Sequence, residues 1–148
     1  MANEVVVTEQ LTGEMVEAGR QLIAALDSAG IPISAAFWLY FPEPQTWRLV
    51  LASTRVDKFG PRKVYHNIQT VLLKLPDSKR LSLSDITVVE NNAPLVTSLR
   101  KALGLAKDVE GVRLGGNTID GQYIEKAYLY FISPAQRKSA VSSWATST

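Results

Sequence analysis

Residues 33–41 constrain this fold more than any other stretch. In an extended chain Ile33, Ala35, Phe37, Leu39 and Phe41 point one way, and Ser34, Ala36, Trp38 and Tyr40 point the other. Both sets are largely apolar. A strand of that kind belongs at the centre of a sheet, or under cover on both faces. Pro42-Glu43-Pro44-Gln45 breaks it and reverses the chain. Residues 47–53 then return as a second strand, antiparallel to the first.

The unit from Trp47 to Leu75 organises the rest. After the second strand, residues 54–61 read as a basic loop, and Pro61 fits the first turn of a helix that runs to Leu75. Val64, Ile68, Val71, Leu72 and Leu75 make its buried stripe. Its other face carries Arg62, Lys63, His66, Asn67, Gln69, Thr70 and Lys74.

An earlier helix starts at Thr12. Met15, Val16, Gly19, Leu22, Ile23 and Leu26 recur at three- and four-residue spacing, and Glu14 and Glu17 sit where the helix dipole favours anions. Gly30 suits the position just past its end, and Pro32 prevents resumption. Residues 86–90 are rich in β-branched side chains and read as a short strand. Asn91 or Asn92 then caps a helix with Pro94 in its first turn and Leu95, Val96, Leu99, Ala102 and Leu103 on its core face.

Val112-Arg113-Leu114 opens the last structured part, and Gly115-Gly116-Asn117 permits a bulge or turn. Asp120-Gly121 is a strong hairpin signal. The strand after it places Ala127, Leu129 and Phe131 on one face and Lys126, Tyr128 and Tyr130 on the other. Residues 1–11 are expected to be an N-terminal arm or edge strand, 12–133 a single domain, and 134–148 a flexible polar tail. The order α-β-β-α-β-α-β-β predicts a two-layer α+β domain, a mixed sheet of about five strands with helices mainly on one face.

At 148 residues, 46% hydrophobic and 20% charged, the chain is long and apolar enough for one real core. It contains no cysteine, so neither disulfides nor thiolate zinc sites hold it together. No transmembrane helix is expected, the opening Met1-Ala2-Asn3-Glu4 is acidic where a secretory signal would be basic, and a cytoplasmic location is the expectation.

The net charge of +2 is small, but its distribution is uneven. Residues 1–27 carry five acids against Arg20, a balance of −4. Residues 44–80 carry eight bases against Asp57 and Asp77, a balance of +6. A fold that separates these regions has a basic pole.

Phosphate-loop, dinucleotide-binding, zinc-protease and nucleophile-elbow motifs are all absent from the sequence. His66 is the single histidine, so a site needing two imidazoles is excluded. Four constellations remain. Arg55, Lys58, Arg62 and Lys63 crowd a helix N-terminus, with His66 one turn beyond Arg62; a bound anion would offset the unfavourable charge–dipole pairing there. The bland alternative is a solvated surface that is merely basic.

Asp120 and Glu125, with Arg113 and Asn117 near them in sequence, are the acids for a small metal-dependent hydrolase. Turn chemistry alone explains Asp120-Gly121. Asp77-Ser78-Lys79 has a nuclease-like Asp-x-Lys form, but a helix separates it from Asp57 and the geometry is wrong. Trp38, Tyr40, Tyr128 and Tyr130 would share a sheet face if their strands are near each other. With helices on the opposite face, a homodimer would cover them.

The leading expectation is a non-enzymatic binding protein without a cofactor. Its basic pole of Arg55, Lys58, Arg62, Lys63 and His66 would engage nucleic acid or an acidic protein surface. The competing expectation is an assembly module, a homo-oligomer through the aromatic face.

Overall fold

β1 (Ala35–Phe41) lies in the middle of a mixed sheet, with five strands among the described residues in the order β3-β2-β1-β5-β4. Its two apolar faces are why it sits there. The computed structural model describes residues 10–43, 45–76, 81–103, 110–119 and 121–133. The arm, the tail and the Asp-x-Lys stretch therefore fall outside it, save Gln10 and Leu11.

β2 (Thr46–Ser53) pairs antiparallel with β1, Phe41 opposite Thr46 and Ala35 opposite Ala52. β3 (Ile86–Glu90) runs parallel to β2, with Leu49 opposite Ile86. β5 (Gln122–Ile132) flanks the other side of β1, and β4 (Arg113–Ile119) pairs antiparallel with β5. Ile119 pairs with Gln122 across a two-residue turn whose Gly121 has φ 84°, the left-handed conformation that Asp-Gly turns supply. The result is a single α+β domain with a mixed sheet, in roughly the element order the sequence implies.

The helices lie mainly on one face. α1 (Gly13–Ser28) starts at Thr12, whose hydroxyl accepts from Met15 N at 3.1 Å. It stops in a Schellman arrangement: Gly30 N donates to Asp27 O and Ile31 N to Leu26 O, with Gly30 at φ 78°. Gly19, Leu22 and Leu26 are its buried stripe.

Residues 54–59 are not a loop. Ser53 ends β2 and caps a short helix, α2 (Thr54–Phe59), by accepting from Arg55 N at 3.1 Å. Gly60, at φ 87°, ends α2 and precedes α3 (Pro61–Leu72). Six residues are too few for periodicity to reveal a helix. Beyond α3, Lys74 N and Leu75 N bond Val71 O and Leu72 O in tightened turns.

α1 and α3 pack on the face carrying Trp38, Tyr40, Trp47, Leu49, Leu51, Tyr128 and Tyr130. α4 (Pro94–Leu103) covers the opposite face, where Val96 and Leu99 meet Phe37, Val50, Ala127 and Leu129. This reverses the expected assignment. The aromatic face is the one with most of the helices, not the one left open.

Two irregularities set the faces. The β1–β5 register shifts between Ala36 and Phe37. Phe131 thus joins Tyr130 against the aromatic cluster and Ile132 falls on the other side, whereas strict alternation puts Phe131 with Leu129. In the β4–β5 hairpin, Gly116 takes φ 64°, and Leu114, Ile119, Ile124 and Ala127 all pack to the α4 side despite their odd spacing. The register there does not slip.

β3 is the outermost strand on its side among the described residues, and side chains of two helices bond its backbone and the residue after it. Tyr65 on α3 accepts from Val88 N at 2.9 Å, and Asp57 on α2 accepts from Asn91 N at 3.1 Å. Before β3, Ser82 and Asp85 cap a 3₁₀ turn (Leu83–Asp85) reciprocally.

Candidate anion-binding surface

Gly60 brings the basic residues together. It sets α2 and α3 end to end at an angle, so the last turn of one and the first turn of the other share a surface. Lys58, Arg62, Lys63 and His66 are all exposed on it. Arg62 and His66 are four residues apart on α3, which places their Cβ atoms about 6 Å apart on one face. Lys63 Nζ lies 5.6 Å from the centroid of the Phe59 ring.

Arg55 stands apart. It is half-buried and its Nη1 donates to Asn67 Oδ1 at 3.3 Å, which ties α2 to α3. Arg48 does not contribute at all. Its Nε donates to Thr87 Oγ1 at 2.6 Å and its Nη2 to Ile86 O at 3.3 Å, so its charge holds β2 to β3.

Among the described residues no carboxylate pairs with Lys58, Arg62 or Lys63. Asp57 is the one acid on α2, and its Oδ1 is engaged by the Asn91 backbone. The first turn of α3 carries no acid, no side chain caps it, and Pro61 occupies its start. Two cations in that turn oppose the helix dipole by a few tenths of a kcal/mol each, about as much as an exposed site allows.

The four aromatics are placed differently from expectation. Trp38 is fully buried, and Tyr40, Tyr128 and Tyr130 are 4%, 8% and 6% exposed. Trp38 Nε1 donates to Tyr130 Oη at 2.9 Å, and Tyr130 Oη donates to Val16 O at 2.6 Å. Burial pushes the Tyr130 hydroxyl up to about 12, against a smaller lowering from its bond with Trp38. Cations cover the outer rings: Arg113 over Tyr128 at 4.9 Å, Lys126 over Tyr40 at 4.8 Å, Arg20 over Tyr130 at 5.9 Å. α1 and α3 pack on this face, and the four side chains are core rather than exposed surface.

Sequence reasoning missed a buried polar cluster at the C-terminal ends of β3 and β5. Arg100 on α4 is 6% exposed. Its Nε donates to Ser133 O at 2.7 Å, Nη1 to Asn91 O at 3.3 Å and Nη2 to Asn91 Oδ1 at 3.1 Å. Desolvation lowers its pKa from the ordinary arginine value. Asn91 is therefore spent on Arg100 rather than on capping α4, which begins two residues past Asn92. Ala102, expected in the core, is exposed. No pattern in the sequence separates Arg100 from Lys101, which is exposed.

A groove of about 400 Å³ lies elsewhere, between α1 and the end of β5, lined by Ile23, Asp27, Ile31, Ile33 and Phe131 with Arg20 beside them. Arg20 is already held by Glu17 at 2.8 Å and Glu110 at 3.2 Å. None of the basic-surface residues lines this groove. For the hydrolase alternative, Glu125 is half-buried on β5 and Asp120 lies outside the described residues. Among the described residues no three metal-ligating side chains cluster, and no helix is long and apolar enough to cross a membrane.

Compared with protein-family models, curated proteins and solved structures, the chain matches none.

Proposed function

We propose that this protein binds a phosphate-bearing or otherwise anionic partner on the α2–α3 surface, through Lys58, Arg62, Lys63 and His66. Arg55 holds the two helices together rather than touching the partner. The observation that carries this reading is the set of exposed cations on consecutive helices, with no carboxylate among the described residues paired to Lys58, Arg62 or Lys63. Ion pairs would be the usual way to neutralise such a cluster. A partner's phosphates or carboxylates supply the missing charge instead, and the first-turn N–H groups of α3 add to the attraction. The reading places the protein in the cytoplasm and assigns it no reaction.

The test is a binding titration with labelled single- and double-stranded nucleic acids and with an acidic peptide. Arg62→Ala/Lys63→Ala is the variant, and Arg48→Ala is the control cation outside the surface. The account expects affinity that falls with salt and drops at least 10-fold in the double variant. Arg48→Ala lowers stability but leaves the affinity of the folded protein within about 2-fold. Equal losses from both variants would mean that only net charge matters.

A further inference from the structure

The α2–α3 surface holds one more side chain that its charge does not explain. Phe59, the last residue of α2, leaves 56% of its surface exposed. A lone exposed apolar residue is unremarkable on most surfaces. This one stands in the chain between Lys58 and the Arg62–Lys63 pair, all three cations exposed, and the Lys63 ammonium lies 5.6 Å from its ring centroid. Gly60 at φ 87° makes that arrangement: the chain turns immediately after the ring, and α3's first turn comes round beside it. No L-residue with a side chain adopts that φ readily, so the juxtaposition is written into the backbone.

An aromatic face among cations that no described carboxylate neutralises has a particular complement. A polyphosphate or an acidic peptide satisfies the charges and leaves the ring in water. A duplex offers phosphates, but its base faces are stacked on one another. An unpaired nucleotide offers both at once, a flat π-face for the ring and a phosphate on either side for the cations. We propose that Phe59 is a stacking platform for an unpaired base, with Lys58, Arg62 and Lys63 on the flanking phosphates, and that the partner is therefore single-stranded nucleic acid. This rests on the anion-binding reading above. On binding, the base takes the ring face and Lys63 shifts from the ring to a phosphate.

The experiment compares Phe59→Ala, Phe59→Trp and Arg62→Ala/Lys63→Ala with the unaltered protein. The probes are a labelled single-stranded oligonucleotide, the duplex of the same length, inorganic polyphosphate and anionic phosphatidylserine vesicles. Because Phe59 is exposed, its variants keep the fold, which an unfolding curve verifies. The proposal expects Phe59→Ala to weaken single-strand binding about 10-fold or more, Phe59→Trp to retain it, and duplex and polyphosphate binding to stay within about 2-fold in both. The salt slope of Phe59→Ala stays that of the unaltered protein, because no cation is lost.

Single-strand binding that ignores Phe59→Ala but falls in Arg62→Ala/Lys63→Ala overturns the stacking proposal and leaves the anionic-partner reading standing. Vesicle binding that depends on Phe59, with no preference for single strands, overturns it in favour of a membrane surface. Absence of binding to every probe overturns both.

Discussion

Trp38 Nε1 and Tyr130 Oη are joined by a hydrogen bond of 2.9 Å inside the sheet face that α1 and α3 cover. Tyr130 passes the bond on to Val16 O at 2.6 Å, so one hydroxyl links β1, β5 and α1. Replacing it strands a buried indole N–H and takes a second donor away from a carbonyl inside α1. Tyr130→Phe is expected to cost about 2 kcal/mol, read as a lower denaturant midpoint with an unchanged slope.

The same hydroxyl makes Gly19 unusual. Glycine inside a helix ordinarily costs up to about 1 kcal/mol relative to alanine, so Gly→Ala is normally stabilising. At Gly19 a Cβ would collide with Tyr130 Oη and crowd Trp38 Nε1. Both atoms are held in the buried relay and have nowhere to go. Gly19→Ala is therefore expected to destabilise by about 1–3 kcal/mol, and thermal unfolding gives the sign directly.

Tyr130 also predicts behaviour at high pH. Its hydroxyl is pushed up to about 12 in the folded chain by burial, against about 10 in an unfolded one. Between those values the unfolded chain sheds the proton while the folded chain keeps it. Stability is thus fully present below about pH 10 and is lost as pH rises towards about 12. The loss is about 2 kcal/mol over that window. Unfolding curves at intervals from pH 9 to 12 should show the advantage of the natural protein over Tyr130→Phe shrinking as pH rises.

Arg100 is the cation on which the far end of the sheet depends. Its three bonded oxygens, two from Asn91 and one from Ser133, are neutral. Arg100→Met leaves them without their donors at a buried site and is expected to cost about 3 kcal/mol. Arg100→Lys should recover little of this, because an ammonium cannot reproduce a planar fork aimed at oxygens on two strand ends. Chemical denaturation of the two variants measures both expectations.

Much of this architecture is legible in the residues. The doubly apolar strand at 33–41 places β1 in the middle, the stripe from Met15 to Leu26 with Gly30 gives α1 and its stop, and Asp120-Gly121 gives the last hairpin. What the residues hide is tertiary. Alternation groups Trp38, Tyr40, Tyr128 and Tyr130 on one face, but not the fact that α1 and α3 settle on it. The shift beside Tyr130 carries no glycine to announce it, so Phe131 changes face unseen. A charged residue such as Arg100 reads as exposed until the strand ends that surround it are in place.

The basic surface is legible in part. The cluster stands out from the local charge balance, yet Arg55 and Arg48 prove to be bracing residues, because only the packed helices and strands reveal Asn67 and Thr87 as their partners. Phe59 escapes a reading based on charge altogether.

The most direct measurement of the central claim is the slope of log affinity against log salt for a single-stranded oligonucleotide, in the natural protein and in Arg62→Ala/Lys63→Ala. If both cations meet phosphates, the slope should become shallower by about 1.4, roughly 0.7 for each neutralised charge. A natural protein that fails to bind, or a double variant with the same slope, would contradict the account.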